Sequence, residues 1–197
     1  MQINKSEHYK HDWISHELLK DFEIEDVWRF PVELESEHQL SNFQTVIRTA
    51  MEDLEQKGPA GFLFKLRFFL GEVFGWDKEM REKELLKEGS IRERYASANK
   101  LSVKDLPEPG DAEFTPVYNE ENESLSEIEN ATVHAALHLG RVPLKEKLYT
   151  IQMAVYVKPK GGFGRFYMAL IKPFRHSIVY PAFMSLIRKR WERYVTT

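Results

Sequence analysis

Residues 161–194 read GGFGRFYMALIKPFRHSIVYPAFMSLIRKRWERY. Apolar side chains recur there at three- and four-residue steps: Phe163, Phe166, Tyr167, Leu170, Ile171, Phe174 and Ile178, then Phe183, Leu186, Ile187, Trp191 and Tyr194. That spacing predicts one long helix with an aromatic-rich face. Pro173 and Pro181 each remove an intrahelical hydrogen bond, so the helix should bend or divide near them. A face with so many large rings needs a wide surface to cover it.

The segment just upstream supplies that surface. Residues 114–118, 124–130, 131–140 and 149–158 read as strands, with a turn over 119–122. In the third, Val133, Ala135, Leu137 and Leu139 face one way, and Thr132, His134, Ala136 and His138 the other. In the fourth, Tyr149, Ile151, Met153, Val155 and Val157 oppose Thr150, Gln152, Ala154 and Tyr156. One apolar and one half-polar face fit an antiparallel sheet.

Earlier, residues 27–35 alternate with Trp28, Phe30, Val32 and Leu34 on one face; Pro31 places that strand at an edge or a bulge. Ser36 and Gln39 form a capping box opening a helix whose stripe is Leu40, Phe43, Val46, Ile47, Ala50, Met51 and Leu54. Gly58-Pro59 stops it. Residues 62–76 predict a second helix, apolar nearly all round. Residues 1–25 read as an irregular arm, and 77–112 as a charged excursion or lid. The expected class is α+β: a curved antiparallel sheet packed on a long C-terminal helix, with two helices after the first strand.

Composition sets bounds. The 197 residues suit one domain, 1–197. A net charge of −3 disfavours nucleic-acid binding. With no cysteine there is no disulfide and no thiolate nucleophile or ligand. No signal peptide and no apolar run of about 18 residues is present, so a cytoplasmic protein without a membrane span is expected. No residue set has metal-ligand spacing, and no cofactor motif stands out.

The motifs ENATVHAALHLG (129–140), MAVYVKP (153–159) and FGRFYMALIKPFRHSIVYP (163–181), with HDWISHELLK (11–20) and DVWRFPVEL (26–34), resemble a bacterial family of unknown function. That family is assigned to the SRPBCC or START-like helix-grip superfamily, which includes polyketide cyclases and birch-pollen-allergen-like proteins. The resemblance implies a cavity between sheet and long helix able to hold an apolar small molecule or lipid. It implies no catalytic residues. The expected ligand-binding wall is Tyr118, His134, His138, Gln152, Tyr156, Phe166, Tyr167, Leu170 and Phe174.

Other readings are weighed beside this one. His134 and His138 lie about 13 Å apart along a strand, too far to share an ion. Hydrogen-bonded histidines on a partly wet face are the plainer reading; ligand anchors are the sharper one. Gly161-Gly-Phe-Gly164 lacks nucleotide-loop spacing and reads as a turn into the helix. Glu120, Glu121, Glu123, Glu127 and Glu129 read as a solvated hairpin tip. The cations around Lys172 and Arg188 suit a solvated back face, or contact with anionic head groups. A cyclase- or dehydratase-like enzyme using His134 or Tyr156, and a structural or membrane-surface protein, are the alternatives to a binder. A monomer or homodimer is expected.

Overall fold

The computed structural model describes residues 1–35, 40–56, 88–109, 114–130 and 132–196; the side chains of 51–56, 163 and 167 are not described. The Ser36–Gln39 capping box, the Gly58-Pro59 stop, the helix expected over 62–76 and residues 77–87 lie outside these. So does the Tyr167 side chain.

The arm carries two short helices, α1 (Lys5–His8) and α2 (Ile14–Leu18). Strands β1 (Glu23–Arg29) and β2 (Leu34–Glu35) follow, then α3 (Leu40–Gln56). Helix α4 (Ile91–Asn99) and a 3-10 turn (Val103–Asp105) lead to β3 (Thr115–Asn119), β4 (Glu123–Glu129), β5 (Val133–Lys145) and β6 (Leu148–Pro159). The chain ends in α5 (Gly161–Phe174), a π turn (Arg175–Val179) and α6 (Tyr180–Val195). The class is α+β, with a six-stranded antiparallel sheet among the described residues and a long C-terminal helix. The sheet order is β1-β6-β5-β4-β3, and β2 also pairs with β6. Pro31 falls between β1 and β2 on the sheet edge, where a missing N–H breaks no interior ladder.

Helices cover both faces. On one, Trp28, Phe30, Ile151 and Met153 pack against Phe43 of α3 and Phe183, Ile187 and Trp191 of α6. On the other, Ala136, Ala154 and Tyr156 pack against Leu18, Leu19 and Phe22 of the arm and Ile91 and Tyr95 of α4. A bulge in β1 between Ile24 and Asp26 shifts the alternation by one residue, so that Ile24 and Val27, three positions apart, share a face. Ile24 and Val27 join the arm side, while Trp28 joins the helix side. Asp26 meets Arg175 Nη2 at 3.1 Å and His176 Nε2 at 2.7 Å, which ties the π turn to the sheet edge.

Two expectations need correction. Residues 88–109 belong to no loose excursion: Ile91 is fully buried and Tyr95, Ala96 and Leu106 are core. The C-terminal stripe is also not continuous. Phe183, Ile187 and Trp191 are buried, but Phe166, Leu170 and Phe174 are 63%, 54% and 47% exposed. Helix α5 instead rests on Met168 and Ile171, which pack with Val133, Ala135 and Val157. The cause is the π turn between the two prolines. It inserts about one extra residue, which rotates the buried face by roughly 100°. Phe174 is therefore no core anchor.

The start of α5 sits against the β4–β5 connection. A Cβ on Gly164 would strike the carbonyl oxygen of Thr132, which already accepts from Lys160 N at 2.8 Å. Gly164→Ala should thus destabilise by about 1–3 kcal/mol, as overpacking does. Helix propensity alone predicts the opposite sign, a gain of about 1 kcal/mol. A urea melt decides, since a neutral or stabilising result would mean the helix start shifts freely.

Candidate functional site

The polar half of the sheet's arm face is built on paired diagonals. In the β4–β5 ladder, His134 stands opposite Glu129 and His138 opposite Leu125. Each imidazole reaches the glutamate two positions earlier in β4. His134 Nε2 lies 2.8 Å from Glu127 Oε2, and His138 Nε2 lies 3.0 Å from Glu123 Oε2. Diagonal neighbours on one sheet face are within reach of side chains this long.

Both glutamates are buried. Each also receives the start of a helix. Glu127 accepts from the backbone N–H groups of Ile91 at 2.8 Å and Arg92 at 2.9 Å, at the head of α4. Glu123 accepts from Ile14 N at 2.8 Å, at the head of α2, where the N-cap residue Trp13 supplies no side-chain bond. Its other oxygen takes the Tyr118 hydroxyl at 2.8 Å. Carboxylates at helix starts satisfy orphan donors and favour the dipole. The two glutamates are therefore not a solvated hairpin tip. They fasten α2 and α4 to the sheet.

Arm and sheet meet again at His8, which is fully buried. Its Nδ1–H donates to Gln152 Oε1 at 2.9 Å, and its Nε2 accepts from the Tyr156 hydroxyl at 2.8 Å. The His8 ring centroid lies 5.0 Å from that of His138 and 5.1 Å from that of His16. Trp13 tilts over His138 at 5.1 Å. Gly140 makes room for that indole, because a Cβ there would come within 2.7 Å of it.

Burial decides the charges. It is the main cause of the low pKa of His8, brought down to about 3; repulsion between the two cationic forms of His8 and His138 is the second cause. Burial likewise lowers His138 and His16. Burial opposes ionisation of Glu123, but the bonds from His138 and Ile14 N outweigh it and hold its carboxyl below the usual range. The Tyr118 and Tyr156 phenols are pushed up, chiefly by burial. Around the Glu123 carboxylate the groups are then neutral: the imidazoles of His8, His16 and His138 and the phenols of Tyr118 and Tyr156. His138 donates its Nε2–H to Glu123, which leaves Nδ1 as a buried lone pair.

Several polar atoms here lack a partner. Trp13 Nε1, Ser15 Oγ, His16 Nε2, His138 Nδ1 and Gln152 Nε2 are buried without a hydrogen bond. Ser15 approaches both the Tyr118 and Tyr156 phenols without closing a well-aligned bond. Buried polar groups are normally paired, so five such atoms in one seam are unusual. Two pockets flank the seam. One, about 270 Å³, is lined by Tyr9, His16, Leu19, Lys20, Phe22 and Tyr156. The other, about 560 Å³, is lined by Tyr95, Asn99, Leu101, Asp105, Leu106, Pro107, Tyr118, Asn119 and Glu120. No group of three or more metal-ligating side chains is placed to hold an ion among the described residues.

The expected wall thus divides. Tyr118, His134, His138, Gln152 and Tyr156 share the arm face of the sheet. Phe166, Leu170 and Phe174 belong to α5, which lies on the opposite face with Met168 and Ile171. The two groups cannot enclose one chamber. Sequence reasoning missed His8, Trp13, Ser15, Glu123 and Glu127. The signal available was Glu-x3-Glu at 123 and 127 facing His-x3-His at 134 and 138 across one hairpin.

A family profile described as Protein of unknown function (DUF2867) matches residues 18–182. No curated protein and no solved structure matches the chain. No helix among the described residues is long and apolar enough to cross a membrane.

Proposed function

For a chain that belongs to the DUF2867 family of unknown function, we propose a role as a small-molecule binder. The architecture is read as helix-grip-like, supported by the antiparallel sheet and long C-terminal helix. The binding site is assigned to the arm face of the sheet, not to the space under the C-terminal helix, which Phe43, Phe183, Ile187 and Trp191 fill. The observation that carries this reading is the pocket of about 270 Å³ beside unpartnered His16 Nε2 and the buried Tyr156.

The lining fixes the ligand class. Leu19, Phe22 and the Tyr9 ring offer an apolar bed. The Tyr156 hydroxyl spends its proton on His8, so its oxygen is left to accept. His16 Nε2 supplies one more hydrogen-bonding atom. A small, largely apolar molecule ending in a neutral hydroxyl or amide satisfies both. The volume sits just under the usual ligand-pocket range, which suits a compact ligand.

Native mass spectrometry of freshly purified protein should show such a molecule retained. Tyr9→Ala and His16→Phe, both away from the buried ladder, should weaken its retention about tenfold or more, the scale of one lost hydrogen bond or apolar wall. Bare chain mass in every preparation, with no thermal shift from small aliphatic alcohols or amides, would sink the assignment. Acid–base catalysis is the second reading. It is favoured by the Glu123–His138 pair, a carboxylate orienting an imidazole whose second nitrogen is free. Because His138 is fully buried, that reading also requires the arm to lift.

A further inference from the structure

We propose that the outward face of α5 docks reversibly on an anionic lipid surface. Phe166, Leu170 and Phe174 project from successive turns, and Ala169 and Pro173 between them are exposed as well. Isolated exposed apolar residues are ordinary, but a contiguous stripe marks an interaction surface. Arg165 and Lys172 stand two turns apart on one shoulder of that stripe, both exposed. An apolar crest with a basic shoulder is the pattern of helices that lie in a membrane interface.

Charge selects the occupant. Residues 158–191 contain eight Lys and Arg and no Asp or Glu, in a chain whose net charge is −3. Lys158, Lys160 and Lys172 are answered by Asp21, Glu129 and Glu25, which belong to other segments. Arg165 has no ion-pair partner among the described residues. A second copy of the chain would press Arg165 and Lys172 against their own counterparts, since a two-fold contact repeats the same patch. Anionic head groups satisfy the same charges while the acyl boundary takes up Phe166 and Leu170.

Cosedimentation with vesicles of phosphatidylcholine, with and without phosphatidylserine, tests this. Binding is expected only with phosphatidylserine and should weaken as salt rises. Arg165→Glu should reduce it about fivefold or more per charge removed. The double variant Phe166→Ser with Leu170→Ser should reduce it about tenfold, and its melting temperature should stay near wild type because both side chains are exposed. Equal binding to neutral vesicles, or undiminished binding by the double variant, would overturn the proposal. So would sedimentation equilibrium showing a dimer that the double variant dissolves, which would give the face to a second copy. None of these outcomes bears on the pocket under the arm, so the two readings stand or fall separately.

Discussion

Glu123→Ala should lower the stability of the protein by about 3–5 kcal/mol, the scale of three buried donors losing their acceptor together. The reason lies in what the carboxylate holds. Its loss leaves His138 Nε2–H, the Tyr118 hydroxyl and the Ile14 backbone N–H without acceptors at once. Each is buried or partly buried, and an unpaired buried donor costs about 1–3 kcal/mol. Glu123→Gln keeps one acceptor oxygen and should cost less. Glu121, two residues away and exposed, should change stability by no more than about 0.5 kcal/mol when truncated. Urea unfolding at pH 7 measures all three. Local loss should accompany the global one, with faster amide exchange across α1 and α2 than across β5 and β6. If Glu123→Ala matched Glu121→Ala, the glutamate would be a bystander and the arm would be held by its apolar residues alone.

The strands were legible because their signal is local. Alternation along residues 133–139 and 149–157 names both faces, and the ladder keeps that division. Trp28, Phe30, Val32 and Leu34 fall in one core, as their spacing requires. What failed to read was relational. A polar arm becomes structural only when His8 and Trp13 are seen against Gln152 and His138, more than a hundred residues away in sequence. Glu123 and Glu127 look like surface charge until their strand is paired with β5. The C-terminal stripe misled for a different reason. Periodicity assumes a constant 3.6 residues per turn, and the π turn between Pro173 and Pro181 breaks that assumption. A helical pattern that spans two prolines carries phase information only within each piece.

The second large effect is on acidification. His8 is held down to about 3 when folded, against about 6.5 when unfolded, because burial, and after it repulsion from a protonated His138, penalise its cation. Above about pH 7 both states are neutral at this residue and it contributes no pH dependence. Below 6.5 the unfolded chain takes up a proton that the folded chain refuses. The unfolded state then binds more protons, so stability falls as pH falls, by about 1.4 kcal/mol per unit and per histidine. For His8 alone the loss is about 2 kcal/mol by pH 5. His138 and His16 are lowered by burial too, so they steepen the same slope. The carboxylates act in a separate window. Glu123 and Asp21 are held low, by their hydrogen bonds and ion pairs respectively, so their contribution is intact above about 4.5 and is lost only below it. The stability curve should therefore drop in two stages, histidines first. Urea unfolding at half-unit steps from about pH 7.5 down to about pH 3 would display both stages, with His8→Gln removing about one proton's worth of slope between 6.5 and 5. A flat curve across that interval, or an unchanged slope in the variant, would show that His8 is solvated and that the seam between arm and sheet is wet.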